Sequence, residues 1–202
     1  MNTLFPLEFR LPTGFSYYDD FLSEAEENEL LEEISEIELH NLSYHGYKAN
    51  RKVRSFGYDY NFETNKLTKG APRPSGFEFL IQKITQHIGI RENEVGELLV
   101  TEYPVGSVIN WHLDAPQFLL IADISLLADC IFRLRPYRKE QQTRSSIISF
   151  PVKSRSLYVM KDSARNDWQH SISPVKSLRY SITLRTLKTP KEKDDPSDLN
   201  RT

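Results

Sequence analysis

YPVGSVINWHLDAP, residues 103–116, joins a turn to a short predicted strand. Pro104 and Gly106 mark the turn, and the apolar run after it ends at His112 and Asp114. Side chains two apart in a strand point to the same face, so this imidazole and this carboxylate are expected side by side. One histidine and one carboxylate on one face make up two thirds of the 2-His-1-carboxylate triad that holds non-haem Fe(II).

Short predicted strands continue around this stretch from residue 98 onward. Seven apolar or alternating segments are separated by turns, and they read LLVTEY, SVINWHLD, LLIADISL, CIFRLR, SIISFPV, SLYVMK and RYSITLRTL. Several short strands without helices between them are typical of a β-sandwich or a jelly roll. We therefore predict a double-stranded β-helix, or jelly roll, over about residues 98–187.

Two helices are predicted before the strands. Ser23 and Glu26 have the spacing of a capping box, and apolar residues at helical intervals then predict a helix over 24–38. A second helical pattern covers 77–88. Helices that precede a run of strands are typical of the α+β class.

The composition is that of a globular domain. The chain has 202 residues, of which 39% are hydrophobic and 27% charged. We expect one domain over residues 1–188 and a disordered polar tail over 189–202. Cys130 is the only cysteine, which excludes an intramolecular disulfide framework and a thiolate zinc cluster.

The ends and the hydropathy of the chain bear on where it acts. No apolar run approaches the roughly 18 residues that a membrane span needs. The N-terminal stretch lacks the basic start and long apolar core of a secretory signal. We expect a cytoplasmic monomer without a membrane partner.

Charge is distributed unevenly along the chain. Residues 19–38 contain ten acidic residues and no basic one, whereas residues 133–155 contain seven basic residues and one acidic residue. The basic run fits a face that meets an anionic partner. It fits equally well a set of solvated strand edges and loop tips.

Segment 43–77 mixes aromatic and basic side chains with few aliphatic ones. Aromatic rings interleaved with arginine and lysine suit a surface that stacks bases and contacts phosphates. The alternative is a tyrosine-rich antiparallel strand pair whose rings cover the core.

His170 is the candidate for the third metal ligand. Strands that are distant in sequence lie side by side in a jelly roll, so a ligand 58 positions after His112 is geometrically natural. The remaining histidines lie in predicted helical or lid segments without a carboxylate at strand spacing, and they are His40, His45 and His87.

Two arginines bracket the last predicted strand. Arg179 and Arg185 are six residues apart, so their guanidinium groups face the same way, with Ser181 and Thr183 between them. Arginines that point into a barrel need anions. A dicarboxylate ligand meets this need well because the guanidinium fork binds a carboxylate bidentately. Protein carboxylates, Asp114 among them, are the alternative.

These motifs together resemble the AlkB-like 2-oxoglutarate- and Fe(II)-dependent dioxygenases. The shared order is Y-x-x-G-x-x-x-x-x-H-x-D, then a histidine, then R-x-x-x-x-x-R. The likeness covers most of the chain, from LPTGFSYYDDFLSEAEENELL through RKVRSFGYDYNF to WQHSISPVKSLRYSITLRTL. It implies a jelly-roll core with N-terminal helices and a nucleotide-recognition lid over about 43–77.

The resemblance also implies the cofactors and their ligands. Fe(II) is expected on His112, Asp114 and His170, with 2-oxoglutarate and O2 as cosubstrates. Arg179 is expected to take the distal carboxylate of 2-oxoglutarate, with Tyr103 as a hydrogen-bonding partner.

Two further residues are carried over toward the cosubstrate. Arg185 matches the second arginine of the family, near Asp114 and the C1-carboxylate end, and it counts among the catalytic candidates. Thr101 stands where many relatives have asparagine, and its hydroxyl is a cosubstrate-binding candidate.

The implied substrate is a nucleic acid. Candidates for substrate contact are Arg51, Arg54, Tyr58, Tyr60 and Trp168. Pro116 stands where some relatives have an acidic residue near the target base, so base identity does not carry over.

The implied reaction is oxidative dealkylation of N-alkylated bases in DNA or RNA, and the base is flipped out or single-stranded. Hydroxylation of the alkyl carbon and collapse of the hemiaminal release formaldehyde, while 2-oxoglutarate becomes succinate and CO2. One alternative is an oxygenase of the same fold that acts on a protein or a small molecule. Another is a non-catalytic nucleic-acid-binding module, against which the complete triad argues.

Overall fold

Twelve strands and three α-helices occur in residues 11–44, 47–61 and 66–188, the part of the chain that the structure, a computed structural model, describes. The helices are α1 (Glu24–Ser35), α2 (Glu78–Ile88) and α3 (Asp162–Asn166). The strands are β1 (Phe15–Tyr18), β2 (His40–Tyr44), β3 (Tyr47–Asn61), β4 (Lys66–Lys69), β5 (Val95–Tyr103), β6 (Ile109–His112), β7 (Phe118–Leu126), β8 (Cys130–Pro136), β9 (Ile148–Val152), β10 (Leu157–Met160), β11 (Trp168–Ile172) and β12 (Arg179–Leu187). The tail predicted over 189–202 lies outside the described residues, as do 45–46 and 62–65 of the predicted lid.

The strands form two sheets. The larger sheet has the order β1-β10-β7-β12-β5-β3-β2, with β4 paired to β3, and the smaller has the order β6-β11-β8-β9. Each ladder between these strands is antiparallel. Strands far apart in sequence are therefore neighbours, and the predicted α+β jelly roll is confirmed.

The larger sheet separates two apolar layers. One face packs against α1 and α2, through Leu30 and Ile84 among others, and Ile182 of β12 belongs to this cluster. The other face meets the smaller sheet around Phe132. Since side chains alternate along β12, Arg179 and the residues at even spacing from it face the smaller sheet. This alternation places the polar side chains of β12 between the sheets.

Both predicted helices are present. The Ser23 hydroxyl accepts from the Glu26 N–H at 3.2 Å, and the Glu26 carboxylate accepts from the Ser23 N–H at 2.8 Å, so the capping box forms. Helix α1 ends at Ser35, three residues earlier than predicted, because Glu36 is its C-cap. Among the described residues, no helix has the length and apolarity required to cross a membrane.

The strand that carries His112 is shorter than predicted. Strand β6 ends at His112, and Asp114 lies in the following loop. The prediction that strand alternation aligns these two ligands was therefore wrong. A turn closed by the Phe118 N–H to the Ala115 carbonyl, at 3.1 Å, follows instead and contains Pro116, whose ring nitrogen cannot donate to a ladder.

Gly57 of β3 occupies a position that only glycine fits. Its φ is +83°, and a Cβ added there would lie 2.3 Å from the carbonyl oxygen of Gly96 on β5. The Gly57 N–H donates to the Ala71 carbonyl at 2.7 Å, which opposes any relaxation of the backbone.

Gly57→Ala is expected to lower the free energy of unfolding by roughly 3 kcal/mol. About 1–2 kcal/mol comes from the left-handed backbone and the remainder from the steric contact. Gly89→Ala is the matched control, because Gly89 has φ +74° and nothing within 4 Å of an added Cβ. Urea unfolding measures both variants, and equal losses would contradict the steric part of the argument.

Candidate metal and cosubstrate site

Pairing between β6 and β11 brings the two predicted histidine ligands together. His112 lies directly opposite His170 in this register, and the ring centroids are 4.1 Å apart. Asp114 reaches the pair from its loop, with Oδ1 at 3.4 Å from Nε2 of His112 and 3.7 Å from Nε2 of His170. One ligand atom from each of the three residues lies within 4.8 Å of the others. This is a facial arrangement of two nitrogens and one oxygen.

Neighbouring groups orient both imidazoles. Nδ1 of His112 lies 2.8 Å from the Asn110 carbonyl oxygen, so Nδ1–H donates there and the Nε2 lone pair faces Asp114. The His170 ring stacks on Phe132, with centroids 5.6 Å apart and an interplanar angle of 15°. Both histidines thus present Nε2 to the same point.

The charge state of the cluster suits a divalent cation. Burial opposes the ionisation of Asp114, but the Arg185 guanidinium and the two imidazoles outweigh it and hold the pKa of this carboxyl well below its ordinary value. Burial, together with His112, lowers the pKa of His170 to about 3. At neutral pH the cluster therefore offers a carboxylate and a neutral buried imidazole, and this donor set fits non-haem Fe(II).

Arg185 positions the carboxylate of Asp114. Its Nε donates to Asp114 Oδ2 at 3.0 Å and its Nη1 to Glu97 Oε2 at 2.7 Å. Glu97 also accepts from the Ser55 hydroxyl. Because Oδ2 is occupied by Arg185, Oδ1 remains for the metal. The sequence motif did not indicate Glu97, since it depends on the register between β12 and β5.

Arg165 is a second residue that the sequence did not indicate. It lies on α3 with 4% of its surface exposed, and its Nη2 donates to the carbonyls of Asp114, Ala115 and Phe118 at 3.1, 2.6 and 3.1 Å. These three contacts hold the backbone of the loop that carries the carboxylate ligand. Its one sequence signal is an arginine inside a short helix, which is too common to single it out.

Arg165→Met is expected to weaken divalent-metal binding about 10- to 100-fold, the range seen when groups that orient a metal ligand are removed. Fe(II) and Co(II) titrations measure the effect. Arg165→Lys, which keeps the positive charge and one donor nitrogen, should fall between the wild type and Arg165→Met. Wild-type metal affinity in the Met variant would show that Asp114 keeps its position without these contacts.

Arg179 lies beyond the triad, on the same face of β12 as Arg185. It is 1% exposed, and its guanidinium lies 4.7 Å above the ring of Tyr103, the residue opposite it on β5. Nε donates to the Ser125 hydroxyl at 2.9 Å, and Nη2 is 3.6 Å from Asp123 Oδ1. Nη1 is buried without a hydrogen-bond partner in the described structure.

This unpartnered donor bears on whether protein carboxylates alone meet the Arg179 guanidinium. Protein groups satisfy the guanidinium of Arg179 only in part, because the Asp123 carboxylate stands at ion-pair rather than hydrogen-bond distance. Burial raises the pKa of Asp123, and Thr183 donates to its other oxygen at 2.6 Å. A buried cation with a free donor fits the carboxylate of 2-oxoglutarate. Thr101, opposite Ser181 on the neighbouring strand, lies on the same face.

The two lid arginines lie on opposite faces of β3. Arg51 is on the face that also carries the cosubstrate candidates, and its Nη1 is 3.5 Å from the carbonyl oxygen of Val108, just before β6. Arg54 pairs in register with Val100, whose side chain belongs to the helix-covered core, and its Nη1 lies 3.3 Å from Nε2 of His40. Strand alternation therefore does not bring Arg54 to the site.

The two lid tyrosines differ in exposure. Tyr58 is 39% exposed, whereas Tyr60 is 8% exposed and meets Phe118 edge-on with centroids 6.4 Å apart. Ala115 completes this small cluster. Tyr60 therefore packs against the segment that follows Asp114, whereas the Tyr58 ring is exposed to solvent.

Trp168 opens β11 two residues before His170 and pairs with Pro136. It lines a cavity of about 320 Å³, whose other walls are Pro136, Tyr137, Arg138, Gln141, Ser163 and Asp167. This cavity is lined by none of the three predicted metal ligands, although Trp168 begins the strand that carries His170.

Comparison with known proteins decides the family. Residues 14–185 match the 2OG-Fe(II) oxygenase superfamily, a span that contains the triad and both arginines. The chain belongs to this superfamily. The class of enzyme and the cofactors expected from the sequence, Fe(II), 2-oxoglutarate and O2, are confirmed.

The AlkB-like resemblance is confirmed as well, because relatives of this oxygenase include ALKBH proteins whose names refer to RNA. It is 27% identical over 170 residues to the tRNA (carboxymethyluridine(34)-5-O)-methyltransferase ALKBH8 of Mus musculus, covering 82% of this chain and 25% of that protein. It is 27% identical over 150 residues to the RNA demethylase ALKBH5 of Bos taurus, covering 64% of this chain and 37% of that protein. The chain thus spans about a quarter to a third of the length of these curated relatives.

The fold of the oxygenase matches a solved structure, that of OsALKBH1. The TM-score is 0.68 at 13% sequence identity, over 90% of this chain and 100% of the other. At this identity the match supports the fold alone.

Proposed function

We propose that this oxygenase removes N-alkyl groups from bases of DNA or RNA in a reaction that depends on Fe(II) and 2-oxoglutarate. The observation that carries the proposal is the convergence of His112, Asp114 and His170 with the unpartnered Nη1 of Arg179. Relatives named as an RNA demethylase and a tRNA methyltransferase support nucleic acid as the substrate.

In this proposal His112, Asp114 and His170 hold Fe(II), while Arg179 and Tyr103 bind the distal carboxylate of 2-oxoglutarate. When bound, the metal and cosubstrate supply oxidising power: 2-oxoglutarate and O2 become succinate and CO2, and the alkyl carbon gains a hydroxyl group. Arg185 keeps the Asp114 carboxylate ionised and directed at the metal.

The hydroxylated product resolves without a further catalytic group. The hemiaminal carbon–nitrogen bond breaks, the base nitrogen recovers its proton, and the alkyl carbon leaves as formaldehyde. The protein's part is to place the alkyl carbon at the metal, which requires a base taken from a single strand or flipped from a duplex. Arg51 and the exposed Tyr58 ring are the lid residues best placed to contact that strand.

The test is a panel of N-methylated oligonucleotides, single- and double-stranded, in DNA and RNA, with formaldehyde and succinate followed together. Formaldehyde from at least one member, in step with succinate, is the expected result. Succinate without formaldehyde across the panel would reject nucleic acid and favour a protein or small-molecule substrate. No succinate and no metal binding would reject the proposed reaction altogether.

A further inference from the structure

The outer face of the smaller sheet carries a cluster that the proposed reaction does not use. The guanidinium groups of Arg133 and Arg135 lie 4.9 and 4.5 Å from the ring of Trp111. Arg135 Nε also donates to Gln169 Oε1 at 2.8 Å. We call the set of Trp111, Arg133, Arg135 and Gln169 the outer basic patch.

The strand register fixes the direction in which the patch faces. Leu134 pairs with His170, and both side chains point between the sheets. Arg133 and Arg135 flank Leu134 on β8, so they point away from the core. Trp111 likewise precedes His112 and points to the opposite face of β6. The patch and the two histidines therefore lie on opposite faces of the smaller sheet, with Trp111 and Gln169 on the strands that carry His112 and His170 and both arginines on the neighbouring β8.

The cations of the patch are not neutralised within the described protein. Among the described residues, neither Arg133 nor Arg135 forms an ion pair with a carboxylate, and Arg133 Nε is buried without a hydrogen-bond partner. The connection from β8 to β9 contains further basic residues that form no ion pair in the described structure, namely Arg138, Lys139 and Arg144. Two guanidinium groups held against an indole ring present fixed donors to an anion.

The patch extends from β8 across β11 to the edge strand β6. Strand β6 is the edge of the smaller sheet, and it carries Trp111 on its outer face and His112 on its inner face. An extended polyanion on the patch can pass around this edge and reach the triad without crossing the core.

We propose that the outer basic patch binds the phosphodiester backbone of the substrate strand beside the target nucleotide. This inference rests on the proposed function and adds a surface to it. Arginines pair with phosphate bidentately, and both guanidinium groups lie close to the Trp111 ring, at 4.9 and 4.5 Å. The strand then bends around β6 so that the target base enters the site on the inner face.

The experiment measures the affinity of unmodified 12-nucleotide single-stranded RNA and DNA across a range of salt concentrations by fluorescence anisotropy. In Arg133→Gln/Arg135→Gln, two lost phosphate contacts should reduce the slope of log K against log salt by about 1.4 and the affinity about 25-fold at 0.1 M salt. Arg133→Lys/Arg135→Lys keeps both charges and should retain the wild-type slope. Thermal unfolding checks that each variant is folded.

Arg91→Gln/Lys176→Gln is the charge-matched control, since both residues are exposed and lie outside the patch. Its slope should stay at the wild-type value. Equal salt-dependence slopes for the wild type and the folded Arg133→Gln/Arg135→Gln variant would contradict phosphate binding by the patch. A slope in Arg133→Lys/Arg135→Lys that falls as far as in the Gln/Gln variant would contradict it too. If the wild type demethylates oligonucleotides and the patch variants bind them as tightly as the wild type does, only the patch is rejected and the proposed function stands. A wild type that neither binds nor demethylates any oligonucleotide rejects both.

Discussion

Alanine at position 112 is expected to abolish succinate formation and to weaken divalent-metal binding more than 100-fold. The imidazole is expected to supply one of three metal ligands. Its removal should therefore weaken metal binding by more than the 10- to 100-fold that follows removal of a group that only orients a ligand. His112 suits this test because 37% of its side chain is exposed and because the buried Asp114, which it contacts, keeps its ion pair with Arg185. Asp114 is less suitable because its replacement would also remove a carboxylate partner of the largely buried Arg185 guanidinium.

Co(II) absorption and succinate release measure the two effects independently of the substrate. His87→Ala is the matched control, because His87 is an exposed histidine on α2 that packs against Tyr18 and Phe21, far in sequence from the triad. That variant should bind Co(II) as the wild type does. If His112→Ala kept wild-type metal affinity and turnover, the assignment of the metal ligands would be wrong.

The parts of this fold that were predictable depend on local pattern. The capping box of α1, the strands that carry apolar runs and the common face of Arg179 and Arg185 follow from the spacing of residues within one element. Strand β11 was not predicted as a strand because WQHSI has no long apolar run, and its conformation depends on pairing with β6 and β8 on both sides. The sequence contains no local trace of that pairing.

The candidate site also has features that local sequence patterns predicted and features that they did not. The three predicted metal ligands do converge, yet the predicted reason for the proximity of two of them was wrong, since Asp114 lies in a loop rather than on β6. Tertiary contacts hold that loop: Arg185 binds the carboxylate and Arg165 the backbone. Arg165 comes from a short helix about 50 residues later, and no spacing rule joins it to Asp114.

Replacing Arg179 with methionine is expected to raise the KM for 2-oxoglutarate about 100-fold while metal binding persists. A bidentate pair between guanidinium and carboxylate is worth about 3 kcal/mol, and each 1.4 kcal/mol corresponds to a factor of ten. In the proposed function, the unpartnered Nη1 and the Nη2 that lies 3.6 Å from Asp123 are the donors expected to make this pair. Succinate formation as a function of 2-oxoglutarate concentration measures the change, and Co(II) titration measures the metal.

A structural role for Arg179 must be separated from ligand binding, because its loss leaves Asp123 buried beside an apolar side chain. Burial already raises the pKa of Asp123, and loss of the Arg179 guanidinium, which lowers it, would raise it further. Arg179→Met/Asp123→Asn removes the remaining charge and should restore thermal stability without restoring 2-oxoglutarate binding. Asp123→Asn alone should tighten 2-oxoglutarate binding, since it removes an anion that competes for the guanidinium. Recovery of the wild-type KM in the double variant would instead mean that Arg179 serves the fold and that another residue binds the distal carboxylate.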